Sequence, residues 1–145
     1  MDLINIYNYK QGRKWLGRLP FESDLLETLE KFAAEQQIKV GRVEIIGAVK
    51  KAVIGFYHQE KREYCTLEFN EAMEILNCIG NLSQKDGLPK AHLHITLSDH
   101  QGRSFGGHLM PGTVIFAGEA YIDECIGPEL HREFDEQTGL MLWKF

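Results

Sequence analysis

Hydrophobic and polar residues alternate over many short stretches of this chain, most clearly between His92 and Ser98. Leu93, Ile95 and Leu97 take every second position there, with polar side chains between them. A period of two is typical of a strand with one buried face. The two histidines of this stretch therefore share the other face.

The residues that follow predict a tight hairpin. Segment 99–102 (D-H-Q-G) supplies turn residues, with a glycine able to take the positive φ of a three-residue loop ending in a G1 bulge. Such a loop pairs Asp99 with Arg103 and places His94 opposite His108. In this register the apolar residues of both strands fall on one face.

Helical spacing of apolar residues occurs once, and it predicts one amphipathic helix over about residues 23–36, with Ser23 as its N-cap. Further strands are predicted at 3–9, 15–19, 43–49, 52–56, 64–69, 75–82, 113–116, 120–125 and 140–145; 43–49 and 52–56 could be one bent strand. The remaining segments are predicted as turns at 10–12 and around Gly118, a helical turn at 71–76, a surface loop at 83–89 and a short helical or irregular piece at 129–134.

Composition indicates one soluble domain over residues 1–145, because 43% of the residues are hydrophobic and 26% are charged. No stretch has the apolar length of a membrane helix and the N-terminus lacks a signal-peptide pattern, which predicts a cytoplasmic protein. Three cysteines without a C-x-x-C motif are expected to be reduced thiols.

The charge balance argues against direct DNA binding. The chain has 16 Lys and Arg against 21 Asp and Glu, a net charge of -5, whereas DNA affinity requires clustered positive charge. A local basic group, Lys10, Arg13, Lys14 and Arg18, fits a solvated edge better than a phosphate-binding patch.

The histidines are the candidate chemistry of the chain. Opposed residues in a hairpin have Cβ atoms about 4.5–5.5 Å apart, so His92, His94 and His108 can converge on one point. Neutral imidazoles bind Zn²⁺ or a similar divalent metal, and three of them leave one coordination position open. Gly106 lies on the same face and leaves room above the sheet. The alternative is three histidines on a solvated strand face that bind nothing.

A second motif, Gly102 to Gly106, matches the G-x-S-x-G pattern of hydrolases. A nucleophile elbow requires a helix directly after the serine. Here Gly107 and then Met110-Pro111-Gly112 follow, so no helix can begin. Ser104 is instead expected to be a strand residue near the histidine face.

The run from His92 to Gly112, H-L-H-I-T-L-S-D followed by G-R-S-F-G-G-H-L-M-P-G, resembles the core signature of the plant and prokaryote conserved (PPC) domain. Segments 41–49, 74–81 and 135–140 are similar to other blocks of the same family, in the family's order and spacing. The similarity covers nearly the whole chain.

This resemblance implies an α+β fold, mainly antiparallel β-sheet, assembled as a homotrimer. It implies a metal site at the histidines that match His92, His94 and His108. The donor set makes a divalent metal, zinc before similar ions, the expected cofactor. The family is described as predicted DNA-binding, which implies a regulatory module acting with protein partners or DNA-associated complexes. The AT-hook of plant members is not present. The alternative function is a small metal-dependent enzyme or metabolite-binding protein that uses the open coordination position.

Any catalysis would need more than the histidines. The candidate carboxylates to act as a base or to orient the metal ligands are Glu44, Glu74, Glu119 and Asp99. Arg42 or Arg103 could orient an anionic ligand, although Arg42 and Glu44 could also pair with each other or with a neighbouring subunit.

Overall fold

An antiparallel sheet dominates the computed structural model, which describes residues 4–145. Its elements are β1 (Lys10–Arg18), α1 (Leu25–Glu35), β2 (Gly41–His58), β3 (Glu63–Phe69), β4 (Met73–Lys85), β5 (Leu88–Ser98), β6 (Ser104–Leu109), β7 (Val114–Ile126), β8 (His131–Asp135) and β9 (Leu140–Lys144). The α+β class with one short helix is therefore confirmed. Within residues 4–145, no helix combines the length and the hydropathy that crossing a membrane requires.

The long strand β2 organises the sheet. The strand order is β1-β7-β2-β6-β5-β4-β8-β9, with β3 also on β2 and a further β2–β4 pairing. The pairings β2–β6, β6–β5, β5–β4 and β4–β2 form a closed circuit. This circuit is possible because β2 bends at register shifts between Ile45 and Gly47 and again between Val49 and Lys51. The bent single strand is the second of the two alternatives that the sequence allows.

Helix α1 covers one face of this sheet. Asp24 rather than Ser23 is its N-cap, accepting a hydrogen bond from the Glu27 amide at 2.9 Å. The buried side of the helix joins the apolar residues of β2, β4, β5 and β7 in one core. Each fully buried Leu or Ile contributes about 1.5–3 kcal/mol. The opposite face of β5 stays uncovered by the helix, so the residues between its buried positions point outward.

The N-terminal strand is not where the sequence predicts it. Leu3 lies outside the described residues, and residues 4–9 form no strand. β1 instead begins at Lys10 and includes the predicted turn at 10–12. Gly12 lies in an irregular part of the β1–β7 pairing, where a Cβ would come within 2.8 Å of a Glu124 carboxylate oxygen. Gly12 allows the Glu124 side chain to lie close to the backbone of β1, and it does not form a turn.

The loop predicted at 83–89 is a strand hairpin. Asp86 and Gly87 both have positive φ, of 52° and 78°, as in the two-residue turns that join β4 to β5 in such hairpins. The polar residue Gln84 is fully buried, where its side-chain amide donates to the Lys39 carbonyl at 2.9 Å. The polar residues of this segment suggest a loop in the sequence. They can nevertheless form a buried strand, because the buried Gln84 side chain has a hydrogen-bond partner inside the protein.

Three smaller predictions are also wrong. Gly118 lies within the continuous strand β7, opposite Gly47, whose φ of 145° and close contact with the Ala117 carbonyl exclude a side chain. Residues 71–76 form no helical turn, because β4 begins at Met73. Segment 129–134 contributes strand β8, which pairs with β9.

A substitution at Gly80 tests the tight packing between β4 and β5. A Cβ at this position would lie 1.9 Å from the backbone oxygen of His92, so Gly80→Ala must separate the two strands. We expect a loss of about 1–3 kcal/mol in the free energy of unfolding, measured by denaturant titration. Gly17→Ala is the matched control, because nothing lies within 4 Å of its added Cβ. Equal stability of the two variants would contradict this account.

Candidate metal centre

The β5–β6 hairpin brings three imidazole rings together. His94 lies opposite His108, in the register that the turn residues predict. The ring centroid of His92 is 5.3 Å from that of His94 and 4.9 Å from that of His108. The centroids of His94 and His108 are 5.6 Å apart. One nitrogen from each ring lies within 4.8 Å of the other two.

This spacing is close to what a bound ion requires. Metal–nitrogen distances of about 2.0–2.1 Å in a tetrahedral zinc site put the ligand nitrogens about 3.4 Å apart. Small ring rotations can supply the difference. Within residues 4–145 this is the one group of three such side chains, and no carboxylate belongs to it.

Burial keeps two of the histidines neutral. It is the largest cause lowering the pKa of His92 to about 4, and the charges of His108, Arg132 and His94 lower it further. The pKa of His108 is also lowered to about 4, first by burial and then by His94, Arg132 and Lys90. At neutral pH both rings therefore carry a free lone pair, which is the form that binds a metal.

Arg132 is a site residue that sequence reasoning misses. Its guanidinium donates to Ser83 Oγ and Asn81 Oδ1, both at 2.9 Å, and to the Met141 carbonyl at 3.2 Å. Its Nη2 atom lies 3.5 Å from Nδ1 of His92. Because Arg132 belongs to β8, which the sequence pattern does not identify as a strand, only the fold shows that this charge lies beside the histidines.

Tyr64 is a second residue that the sequence does not single out. Its ring centroid on β3 is 5.2 Å from that of His108. The pKa of its hydroxyl is raised, mainly by burial, so it remains a neutral hydrogen-bond donor. The bend in β2 places Tyr64 here, because the second half of β2 pairs with both β3 and β6.

Asp99 lies away from the histidine cluster and stabilises the hairpin turn. Its side chain is only 1% exposed and accepts hydrogen bonds from the amides of Gln101 and Arg103 at 2.9 Å and from Arg103 Nε at 2.7 Å. Burial raises the pKa of this carboxyl, but the hydrogen bonds from Arg103 and Gln101 outweigh it and lower the pKa overall.

Glu74 and Ser104 also lie at the turn end of the hairpin. Both are opposite Ser98, Glu74 from β4 and Ser104 from β6. Ser98 is four residues from His94, about 13 Å along the strand. Gly106 is closer to the histidines, opposite Thr96 and two residues from His108. A Cβ at this position would lie 3.0 Å from the backbone oxygen of Ile95.

Arg42 and Glu44 form an ion pair with each other on β2. Arg42 lies opposite Asn81 and Glu44 opposite Ile79, which places both residues two strands from β5. That distance is about 9.5 Å across the sheet. Neither residue therefore joins the histidine cluster within this chain.

The structure thus defines the class of the protein as an α+β domain with a partly buried three-histidine cluster on the sheet face that α1 leaves uncovered. Residues 7–126 match the family model of the Plants and Prokaryotes Conserved (PCC) domain. The chain belongs to this family.

Two solved structures are similar over nearly their full lengths. The metal-containing protein AF0104 from Archaeoglobus fulgidus is 40% identical, with a TM-score of 0.94, and the match covers 98% of this chain and 100% of that one. A PPC protein from Pyrococcus horikoshii is 32% identical, with a TM-score of 0.92 and 98% of both chains covered.

The curated relatives are much longer proteins. The bifunctional protein GlmU of Synechococcus sp. strain JA-3-3Ab is 33% identical over 120 residues, which are 81% of this chain and 18% of that protein. The GlmU of strain JA-2-3B'a(2-13) is 31% identical over the same shares. The chain thus spans less than a fifth of the length of these relatives.

The turn role of Asp99 predicts a pH dependence of stability. Because its pKa is lower in the folded state, its stabilising effect is present above the unfolded value of about 3.9 and is lost as the pH falls through the folded pKa. Asp99→Asn should therefore be less stable than the wild type at pH 7, by an amount that shrinks on acidification to pH 3. Thermal unfolding at both pH values measures this difference. Asp86→Asn, in an exposed turn, is the control, and a gap for Asp99→Asn that widens at low pH would contradict the assignment.

Proposed function

We propose that this protein binds a divalent metal ion through His92, His94 and His108, and that zinc is the ion that fits best. The observation that carries this proposal is the convergence of three ring nitrogens to within 4.8 Å on an uncovered sheet face. Three neutral nitrogen donors suit zinc and related transition metals, whereas Mg²⁺ and Ca²⁺ prefer oxygen ligands. The 40% identity to a metal-containing protein supports the same conclusion.

Three protein ligands leave one position for an exchangeable ligand. A metal bound in this way supplies Lewis-acid chemistry and lowers the pKa of a bound water to about 7. The chain's own residues fit ligand binding better than hydrolysis, since no carboxylate among the described residues belongs to the cluster to act as a base. We therefore favour a metal-dependent binding function, for which Arg132 and Tyr64 supply the polar contacts.

Direct DNA binding has little support. Arg13 pairs with Glu124 at 2.7 Å, and Lys14 pairs with Asp123 at 3.1 Å, so two of the four basic residues on β1 are neutralised by carboxylates of β7. The role as a regulatory module with protein partners or DNA-associated complexes remains a prediction from the family description.

We also propose that the protein assembles as a homotrimer. The outer face of β1, β2, β4 and β7 exposes four large apolar side chains, Leu16, Ile46, Ile79 and Tyr121. Ile79, Glu44, Tyr121 and Leu16 are successive neighbours across these strands. Exposed apolar patches of this kind are typical of protein interfaces. Ile79 also lies opposite His94, so the metal site would lie next to the subunit interface.

The metal proposal predicts a strong effect of removing one ligand. In protein purified without a histidine tag, His94→Ala should lower the affinity for Zn²⁺ by more than about 100-fold, since even indirect contacts to metal ligands contribute about 10–100-fold. Titration against a competing chelator measures this affinity. His100→Ala, in the exposed hairpin turn, should bind as the wild type does. Stoichiometric binding that is unchanged in His94→Ala would contradict the proposal.

The assembly proposal predicts a particle of about three times the 16.6 kDa chain mass in sedimentation equilibrium. Ile46→Lys places a charge in the apolar face and should shift the population to smaller species, because burying an unpaired charge is unfavourable. Lys61→Glu, in the exposed β2–β3 turn, should leave the mass unchanged. A wild-type monomer across micromolar concentrations would show the trimer to be wrong.

A further inference from the structure

A small pocket lies beside the histidine cluster, under the β8–β9 hairpin. Its volume is about 200 Å³, room for roughly seven water-sized groups. The polar side chains that line it are Tyr64, Lys85, Lys90, His92, His108 and Arg132. A pocket of this size admits a ligand group of a few heavy atoms.

The pocket carries positive charge that the chain does not neutralise. No ion pair within residues 4–145 includes Arg132 or Lys85, whereas Lys90 pairs with Glu30 at 3.0 Å. The hydrogen-bond acceptors of Arg132 are a hydroxyl, an amide and a carbonyl, all of them neutral. A half-buried guanidinium without a counter-charge is energetically costly. This local excess of cations is notable in a chain of net charge -5.

The guanidinium of Arg132 is fixed in one orientation and has N–H groups left to donate to a ligand. A guanidinium has five N–H groups, and the contacts to Ser83, Asn81 and Met141 occupy three of them. These three contacts fix the plane of the guanidinium. Nη1 and Nη2 each keep one further N–H group, with Nη2 also 3.5 Å from Nδ1 of His92. Such groups donate strong hydrogen bonds to the oxygens of a carboxylate or phosphate.

A bound divalent metal would add to the excess of positive charge in the pocket. Three neutral imidazoles leave both charges of a divalent ion uncompensated. The Arg132 guanidinium lies only 3.5 Å from Nδ1 of His92, so a single small anion can reach both cations.

We propose that the pocket binds a small oxyanion, a carboxylate or a phosphate group, between the open metal position and Arg132. This inference depends on the proposed metal site. One oxygen of the anion would reach the metal held by the three histidines, and the others would accept hydrogen bonds from Arg132. Tyr64 and Lys85 also line the pocket. The ligand class of the protein is therefore a small metabolite with a terminal anionic group.

The test uses the full chain loaded with Co²⁺, whose visible absorption reports its coordination. The probes are acetate, inorganic phosphate and the neutral acetamide, each titrated into the same protein. We expect acetate or phosphate to change the cobalt spectrum saturably and acetamide to have no effect. A comparison of the affinities for acetate and phosphate shows whether the pocket prefers a carboxylate or a phosphate group.

Arg132→Gln should weaken anion binding roughly tenfold or more, since hydrogen bonds to charged groups contribute more than neutral ones. Co²⁺ is supplied at a concentration that saturates each variant, so that the titration reports anion binding alone. Lys61→Gln, an exposed turn residue with the same change of charge, should bind the anion as the wild type does. Lys85→Gln provides a second variant that removes no mapped hydrogen bond, and it should weaken the anion about threefold.

Anion affinity that is unchanged in Arg132→Gln, or in Lys85→Gln if Arg132→Gln does not fold, would overturn this inference. Equal binding of acetamide would do the same. These outcomes leave metal binding intact. Failure of the proposed function is distinguishable, because it appears in the first titration as a protein that does not take up Co²⁺.

Discussion

The structure depends on burying only one face of strands β5 and β6. Leu93, Ile95 and Leu97 are almost fully buried on the side that α1 and the other strands cover. Since side chains alternate along a strand, this burial fixes His92 and His94 on the opposite side. A shift of one residue in register would bury both histidines and expose the three aliphatic residues. The hydrophobic core therefore determines the direction of the imidazoles.

Two further constraints turn an exposed strand face into a site. The bend of β2 lets its second half pair with β3 and β6, which brings Tyr64 next to His108. The β8–β9 hairpin then places Arg132 over the outer end of β4, where Asn81 and Ser83 accept its hydrogen bonds. Both additions partly bury His92 and His108, and burial is the main cause that keeps these two rings neutral.

The sequence predicts the histidine hairpin well because local rules act together there. Strict alternation, turn residues and a glycine at a positive φ of 76° all specify one register. Elsewhere, long-range contacts decide the structure. The sequence predicts turns at Gly12 and Gly118, but both lie in strands, where the missing side chain leaves room for the side chains of Glu124 and Leu19. Arg132 could not be assigned from the sequence, since its neighbours Asn81 and Ser83 are about fifty residues away and one strand pairing apart. Asp99 and Ser104 are near the histidines in sequence but lie at the turn end of the hairpin, and Glu74 of β4 lies opposite that end.

X-ray absorption spectroscopy of protein purified without a histidine tag tests the central claim most directly. The account predicts a zinc edge whose scattering fits three imidazole nitrogens at about 2.0–2.1 Å and one further light atom. A sample without a bound transition metal would contradict it, and so would sulfur ligands at about 2.3 Å, which would implicate cysteine in place of histidine.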